Sequence, residues 1–195
     1  MKIGLLGGSF NPIHNGHIAV AKSVLKQLAL DKIWFLPTGK HPLKYNSTFL
    51  SFEKRYCLIK KTVSSYPDFE VYDFDRFENK PNYTDELIKK IKRLFPRNVF
   101  YFIIGEDNVG ELPAWHNYKW LLENVRIVVV NRTASERTKW KKLDFIDKLV
   151  FINMPPVDIS STNIREKIIK NENIKGLVPE TIEAELYGIF QKFSP

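Results

Sequence analysis

Apolar residues fall along this chain in two alternating rhythms. Near-continuous apolar runs at Lys2–Leu6, Lys32–Leu36, Phe69–Tyr72, Asn98–Ile104, Arg126–Asn131 and Lys148–Asn153 have the length and the β-branched and aromatic content of strands buried on both faces. Between them, apolar positions recur every third or fourth residue over Gly16–Leu28, Phe52–Ser65, Asp85–Leu94, Tyr118–Leu122, Thr162–Ile169 and Glu180–Phe193, which predicts helices with one face turned inward. Strand followed by helix, repeated, predicts an α/β fold: an open, doubly wound parallel sheet of about six strands with helices on both faces. Pro37–Ser51 carries neither rhythm and is the one long loop candidate, polar and basic.

The first strand-to-helix junction is the most unusual part of the chain. It reads Gly7-Gly8-Ser9-Phe10-Asn11-Pro12-Ile13-His14-Asn15-Gly16-His17. Gly7 and Gly8 let the backbone turn sharply and approach a ligand that a Cβ would hold away. Asn15 is placed to cap a helix starting near Gly16, whose inner face is Ile18, Ala21, Val24, Leu25 and Leu28. Unpaired amides and the positive end of the helix dipole then gather beside the glycines, where His14 and His17 can both reach one anion. The arrangement points to phosphate. A capped, partly buried helix start is the plainer alternative; a metal pair lacks further His, Cys or carboxylate at ligand spacing nearby.

Composition narrows the class. At 195 residues and 44% hydrophobic, the chain can bury one good core, so a single domain over residues 1–195 is expected, with the helical segment from about 160 to 195 packing on it. Cys57 is the only cysteine, which excludes an intramolecular disulfide. Glycine breaks the opening apolar run at once, marking a strand rather than a signal peptide, and runs such as Tyr101–Ile104 and Ile127–Val130 are too short to span a bilayer. A cytoplasmic protein with no membrane partner is expected. The net charge of +8 invites a nucleic-acid reading, but Lys and Arg are scattered, Lys89-Lys90, Lys92-Arg93 and Lys139–Lys142 read as solvated faces, and no nucleic-acid module is present. No nucleic-acid partner is expected.

Gly7–His17, Pro37–Lys44, Gly105-Glu106-Asp107, Asn131-Arg132 and Ile159–Arg165 all lie just beyond the carboxyl ends of predicted strands, the edge at which doubly wound sheets hold ligands. Gly105 permits close approach, and Asp107 can accept from a ribose hydroxyl or cap the next helix. In Ser160-Ser161-Thr162-Asn163-Ile164-Arg165, hydroxyls gather at a helix start and a guanidinium fork sits in its first turn, suited to bidentate phosphate binding. Asn163–Glu166 also reads as a plain capping box. Lys44 is either a point charge for phosphate or a solvated loop lysine. Trp34, Trp120 and Trp140 read as core anchors.

Gly7-Gly8-Ser9-Phe10-Asn11-Pro12 with His14-Asn15-Gly16-His17 resembles the (H/T)xGH signature of the nucleotidylyltransferase superfamily, and Ile159–Arg165 resembles the second signature of its bacterial nicotinate (or nicotinamide) mononucleotide adenylyltransferases. The resemblance covers essentially the whole chain. It implies a Rossmann-like fold and adenylyl transfer from ATP to nicotinate or nicotinamide mononucleotide, with Mg²⁺ arriving on the triphosphate. It implies catalytic roles for His14, His17, Lys44 and Arg165, and ATP binding by Gly7, Gly8, Ser9, Phe10, Gly16, Gly105, Asp107, Ile159, Ser161 and Thr162. It places the mononucleotide against Tyr83, Thr84, Trp115, His116 and Arg132, with Trp115 stacked on the pyridine ring.

The chain departs from that pattern at Asn11, where aspartate is common, at Leu43 in place of a loop histidine, at Asn82 in place of serine, and at His116 where tyrosine is frequent. The segment after Thr84 is also one residue shorter than usual. These departures fall mostly on the pyridine side. Phosphopantetheine as acceptor, or a non-catalytic nucleotide or nucleic-acid binder, are the alternatives.

Overall fold

A computed structural model describes residues 1–39, 49–76, 83–131, 140 and 142–193. Six parallel strands form one sheet: β1 (Lys2–Gly8), β2 (Lys32–Pro37), β3 (Phe69–Val71), β4 (Val99–Gly105), β5 (Arg126–Asn131) and β6 (Val150–Asn153), in the spatial order β3-β2-β1-β4-β5-β6. The helices are α1 (Asn15–Gln27), α2 (Phe52–Val63), α3 (Thr84–Leu94), α4 (Tyr118–Asn124), α5 (Ser161–Ile169) and α6 (Glu180–Phe190). Every strand and helix read from the apolar rhythm is present, with ends shifted by a few residues.

The strands are apolar throughout because both faces are covered. Successive side chains alternate across a strand. Ile33, Phe35, Tyr101, Ile103, Val128 and Val130 face the layer containing Ile18, Ala21 and Val24 of α1, Leu58 and Ile59 of α2, Ile164 and Ile168 of α5, and Ile182, Leu186 and Phe190 of α6. Their neighbours Trp34, Leu36, Phe100, Phe102, Ile104, Ile127 and Val129 face the layer of Ile88 and Ile91 of α3 and Leu121 of α4. Trp34 is an anchor as expected, enclosed by Tyr72, Phe95 and Phe100 at ring separations of 4.4, 4.9 and 5.9 Å.

Strand β1 lies between β2 and β4, and the chain winds away from it in both directions. A crevice therefore opens at the carboxyl ends of β1 and β4, which are Gly7-Gly8 and Gly105. Close packing holds β1 in place: a Cβ on Gly4 would lie 2.5 Å from Ile33 Cδ1, 3.0 Å from Leu30 Cδ1 and 3.2 Å from Ile103 Cδ1. Gly4→Ala is expected to cost about 1–3 kcal/mol of stability through overpacking, read as a lower urea midpoint at unchanged m-value.

Candidate active site

Past β1 the chain enters the glycine loop. Phe10 sits at φ +45°, a left-handed backbone that costs an aromatic residue about 1–3 kcal/mol. Its ring offsets this by burial: it is 1% exposed, lies against Phe35 at 5.7 Å, and presents edge-on to His17 at 4.8 Å. The Phe10 side chain is thus part of the core, and only its backbone is available to a ligand. A Cβ on Gly8 would stand 3.3 Å from that ring, so the glycine permits the plug. Asn11 is also buried, and its Oδ1 accepts from Leu50 N at 2.9 Å. That bond gives Asn11 an amide-accepting role between the loop and the start of α2.

His14, and not Asn15, caps α1. Asn15 is the first helical residue, and its polar groups are committed elsewhere: its backbone N donates to Leu177 O at 2.9 Å and its Nδ2 to Gly176 O at 2.8 Å and Val178 O at 3.1 Å. It ties α1 to the segment before α6. His14 N donates to His17 Nδ1 at 3.2 Å, and the two imidazoles stack at 3.7 Å and 27°. Since Nδ1 of His17 accepts, the proton of the neutral ring is on Nε2, and that N–H is the one His17 can offer. A Cβ on Gly16 would lie 2.9 Å from His14 Nδ1, so glycine there lets the ring lie back over the helix start.

The far end of the chain closes on this loop. Ser161 Oγ donates to Pro12 O at 2.9 Å and Arg165 Nη1 to Asn11 O at 2.7 Å, joining segments about 150 residues apart. Arg165 Nη2 also reaches Thr162 Oγ1 at 3.2 Å. Ser160 caps α5 by accepting from Asn163 N at 3.1 Å. Burial lowers the pKa of Arg165, opposed in part by Glu166, and Ile159 packs half-buried against the core beneath. The two signature stretches therefore form one wall, with a helix N-terminus contributed by each.

At the end of β4, Gly105 caps the short turn Glu106–Asn108, which excludes Asp107 as the cap. Asp107 folds back over Gly105 so closely that a Cβ there would collide with its carboxylate, and it stands exposed at the crevice. Trp115 is half-buried, edge-on to Phe102 at 6.2 Å, and Phe102 in turn lies beneath Gly7. This chain of rings links the tryptophan to the glycine loop.

Tyr83 caps α3, Thr84 is its first residue, and the Tyr83 ring stacks on His116 at 4.3 Å and 19°. His116 Nδ1 is 2.8 Å from Asp85 Oδ1, and Asp85 Oδ2 accepts from Lys89 Nζ at 2.6 Å and Asn117 Nδ2 at 2.9 Å. Desolvation raises the Asp85 pKa, but hydrogen bonds from Lys89, His116 and Asn117 outweigh it and hold the carboxyl well below the usual carboxylate range. A depressed folded-state pKa stabilises the fold above the unfolded pKa of about 4 and loses that contribution as pH falls below it. Asp85→Asn is expected to be about 1–3 kcal/mol less stable at pH 7 and to lose less stability than the parent between pH 5 and pH 3, read by urea unfolding at each pH.

Lys44, Arg132 and Asn82 lie outside the described residues. Sequence reasoning missed Arg55 and Asp85. Arg55 is 1% exposed, and its guanidinium donates to Leu50 O at 3.1 Å, Ser9 O at 2.8 Å, Thr38 O at 2.8 Å and Gly39 O at 3.3 Å. The missed signal was positional. Arg55, Leu58, Ile59, Thr62 and Val63 share the buried stripe of α2, and Asp85, Ile88 and Ile91 share that of α3, so each charge stands where an apolar residue is expected. Among the described residues no group of three or more His, Cys, Asp and Glu is placed to hold a metal, and no helix is long and apolar enough to cross a membrane.

Residues 5–167 match the cytidylyltransferase-like family model. Proteins named probable nicotinate-nucleotide adenylyltransferase are similar over nearly the full chain: that of Clostridium tetani is 34% identical over 98% of this chain and 97% of its own, and that of Oceanobacillus iheyensis 35% identical over 96% and 97%. A solved structure of Plasmodium falciparum nicotinic acid mononucleotide adenylyltransferase complexed with NaAD shares the fold at a TM-score of 0.75, with 20% identity over 98% of this chain and 95% of that one.

Proposed function

The chain belongs to the nicotinate-nucleotide adenylyltransferases of the cytidylyltransferase-like family, and on that footing we propose that it joins ATP to nicotinate mononucleotide, giving nicotinate adenine dinucleotide and pyrophosphate. The observation that carries this reading is the junction of Ser161 and Arg165 with the backbone of Pro12 and Asn11, beside His14 and His17.

In the reaction the acceptor's 5′-phosphate attacks the α-phosphorus of ATP in line, the bond to the bridging oxygen breaks, and pyrophosphate departs. The attacking phosphate is already ionised near neutral pH, so no general base is required. What the protein must supply is alignment and positive charge or N–H donors where charge builds. His17 Nε2–H, the His14 imidazole and the Arg165 guanidinium take those parts, with Lys44 as a further cation. Gly7, Gly8, Ser9, Gly16 and the backbone of Phe10 line the triphosphate. Ser161 and Thr162 bring the α5 N-terminus to it, over Ile159, and Asp107 beside Gly105 accepts from a ribose. Trp115, Tyr83, Thr84, His116 and Arg132 surround the pyridine.

Mg²⁺ is the expected cofactor. Imidazoles, a guanidinium and backbone amides crowd the loop, a donor-rich set that repels a bare cation, so the metal would be held by the nucleotide's own phosphate oxygens and water. It would neutralise the triphosphate and the departing pyrophosphate. The reading places the protein in the cytoplasm, with neither membrane nor nucleic acid as partner.

Purified protein is incubated with Mg-ATP and, separately, nicotinate mononucleotide, nicotinamide mononucleotide or phosphopantetheine, and pyrophosphate is followed. Fastest release with nicotinate mononucleotide is the expected result. Preference for phosphopantetheine, or nucleotide binding without turnover, would replace this reading.

A further inference from the structure

Among the described residues Arg55 is the largest fully buried side chain, and Thr62 is the only other polar residue on its helix stripe. Taking a guanidinium out of water is costly unless its N–H groups find acceptors. Here they meet four main-chain carbonyls: Ser9 O in the glycine loop, Thr38 O and Gly39 O just beyond β2, and Leu50 O at the start of α2. The rings of Phe49 and Phe52 lie 5.1 and 5.5 Å from its central carbon. Burial lowers its pKa to about 10, with the charges of Asp75 and Glu53 acting the other way, so it remains a cation at neutral pH.

Main-chain acceptors have a consequence that side-chain partners would not. The C=O and N–H of a trans peptide point in opposite directions. Holding Ser9 O against the buried guanidinium turns the N–H of Phe10 away from it. Phe10 cannot relax this arrangement, because its φ of +45° is locked by the burial of its ring. The Thr38–Gly39 peptide is fixed at both ends: Arg55 takes the carbonyl, and Gly39 N donates to Asp75 Oδ2 at 2.5 Å.

We infer that Arg55 is a positioning residue for the phosphate-binding loop: it fixes the Ser9–Phe10 peptide so that Phe10 N–H meets a phosphate oxygen of the nucleotide, and it locks that peptide to residues 39 and 50. The inference rests on the adenylyl-transfer reading above. Arg55 touches no substrate and acts through backbone geometry alone. A lysine has the charge without the fork, and its single ammonium cannot reach loop, strand end and helix start together.

The test uses Arg55→Lys and Arg55→Ala, each checked for native circular dichroism and assayed well below its own melting midpoint. A misplacement of this kind is worth on the order of 100-fold, so kcat/KM for ATP is expected to fall by about that factor in both. The KM for the mononucleotide, whose ring site lies at Trp115 and Tyr83, is expected to change by less than about threefold. Guanidinium chloride at about 50 mM, far below denaturing levels, is expected to restore activity to Arg55→Ala by at least about tenfold and to leave the parent unchanged. Normal ATP kinetics in a folded variant, or an equal loss for both substrates without rescue, would overturn the assignment. Failure of both variants to fold would also overturn it, placing the clamp in core stability. If instead the parent itself transfers no adenylyl group, the functional reading fails first, and the two failures are distinguished.

Discussion

His17→Ala is expected to lower turnover by about 100-fold or more while leaving the fold intact. The imidazole stands at the first turn of α1 with its Nδ1 occupied by His14 N, so the ring cannot swivel, and Nε2–H is aimed by the protein before any ligand arrives. Such preorganised donors give their largest benefit where charge accumulates during reaction, and their loss falls on kcat more than on KM. The structural cost is moderate: the substitution removes an edge contact to Phe10, a stack on His14 and the acceptor for His14 N, about 1–3 kcal/mol. Pyrophosphate release under saturating substrates reads the effect, and a melting curve controls for folding. Turnover within threefold of the parent would remove His17 from the reaction.

Arg165→Ala is expected to reduce kcat/KM for ATP by on the order of 100-fold, and Arg165→Lys to recover little of it. The guanidinium does two things at once. Its Nη1 holds the carbonyl of Asn11, which bears on the glycine loop, and the rest of the fork lies at the α5 N-terminus beside Thr162. Removal therefore loses a charge-assisted hydrogen bond inside the protein, about 1.5–3 kcal/mol, as well as a cation facing the nucleotide. On the proposed reading, both losses are expected to fall on ATP rather than on the acceptor. A variant with unchanged ATP kinetics and only a lower melting temperature would reduce Arg165 to a strut.

The positions of these two residues were legible in the sequence, because apolar rhythm locates the helix starts beyond strand ends at which the structure has them. The sheet was legible for the same reason: Ile33, Phe35, Trp34 and Leu36 alternate between two covered faces, which leaves a run with no polar gap. What the rhythm could not give was the partner of each polar group. Asn15 looked like a cap, yet its amide is drawn across space to Gly176 and Val178, and His14 takes the position instead. The Phe10 ring is core, and only its backbone belongs to the loop surface. Asn11 could be seen as a departure but not as the acceptor for Leu50 N.

Arg55 and Asp85 illustrate the limit from the other side. Each sits on the inward stripe of its helix, so each was visible as a charge in an apolar place. Their meaning depended on carbonyls and donors contributed by distant segments. At the start of α3, Asp85 holds His116, and Tyr83 covers the face of that imidazole. Local spacing announces that such a side chain exists, and only the fold states what it holds.

The central claim is that adenylate leaves ATP for a mononucleotide phosphate without residing on the protein. It is tested most directly with ATP labelled at the α-phosphorus, supplied with Mg²⁺ and nicotinate mononucleotide. The expected result is label recovered entirely in the dinucleotide, one unlabelled pyrophosphate per product, and none bound to the chain. Label in pyrophosphate, on the protein, or left in ATP would contradict the account.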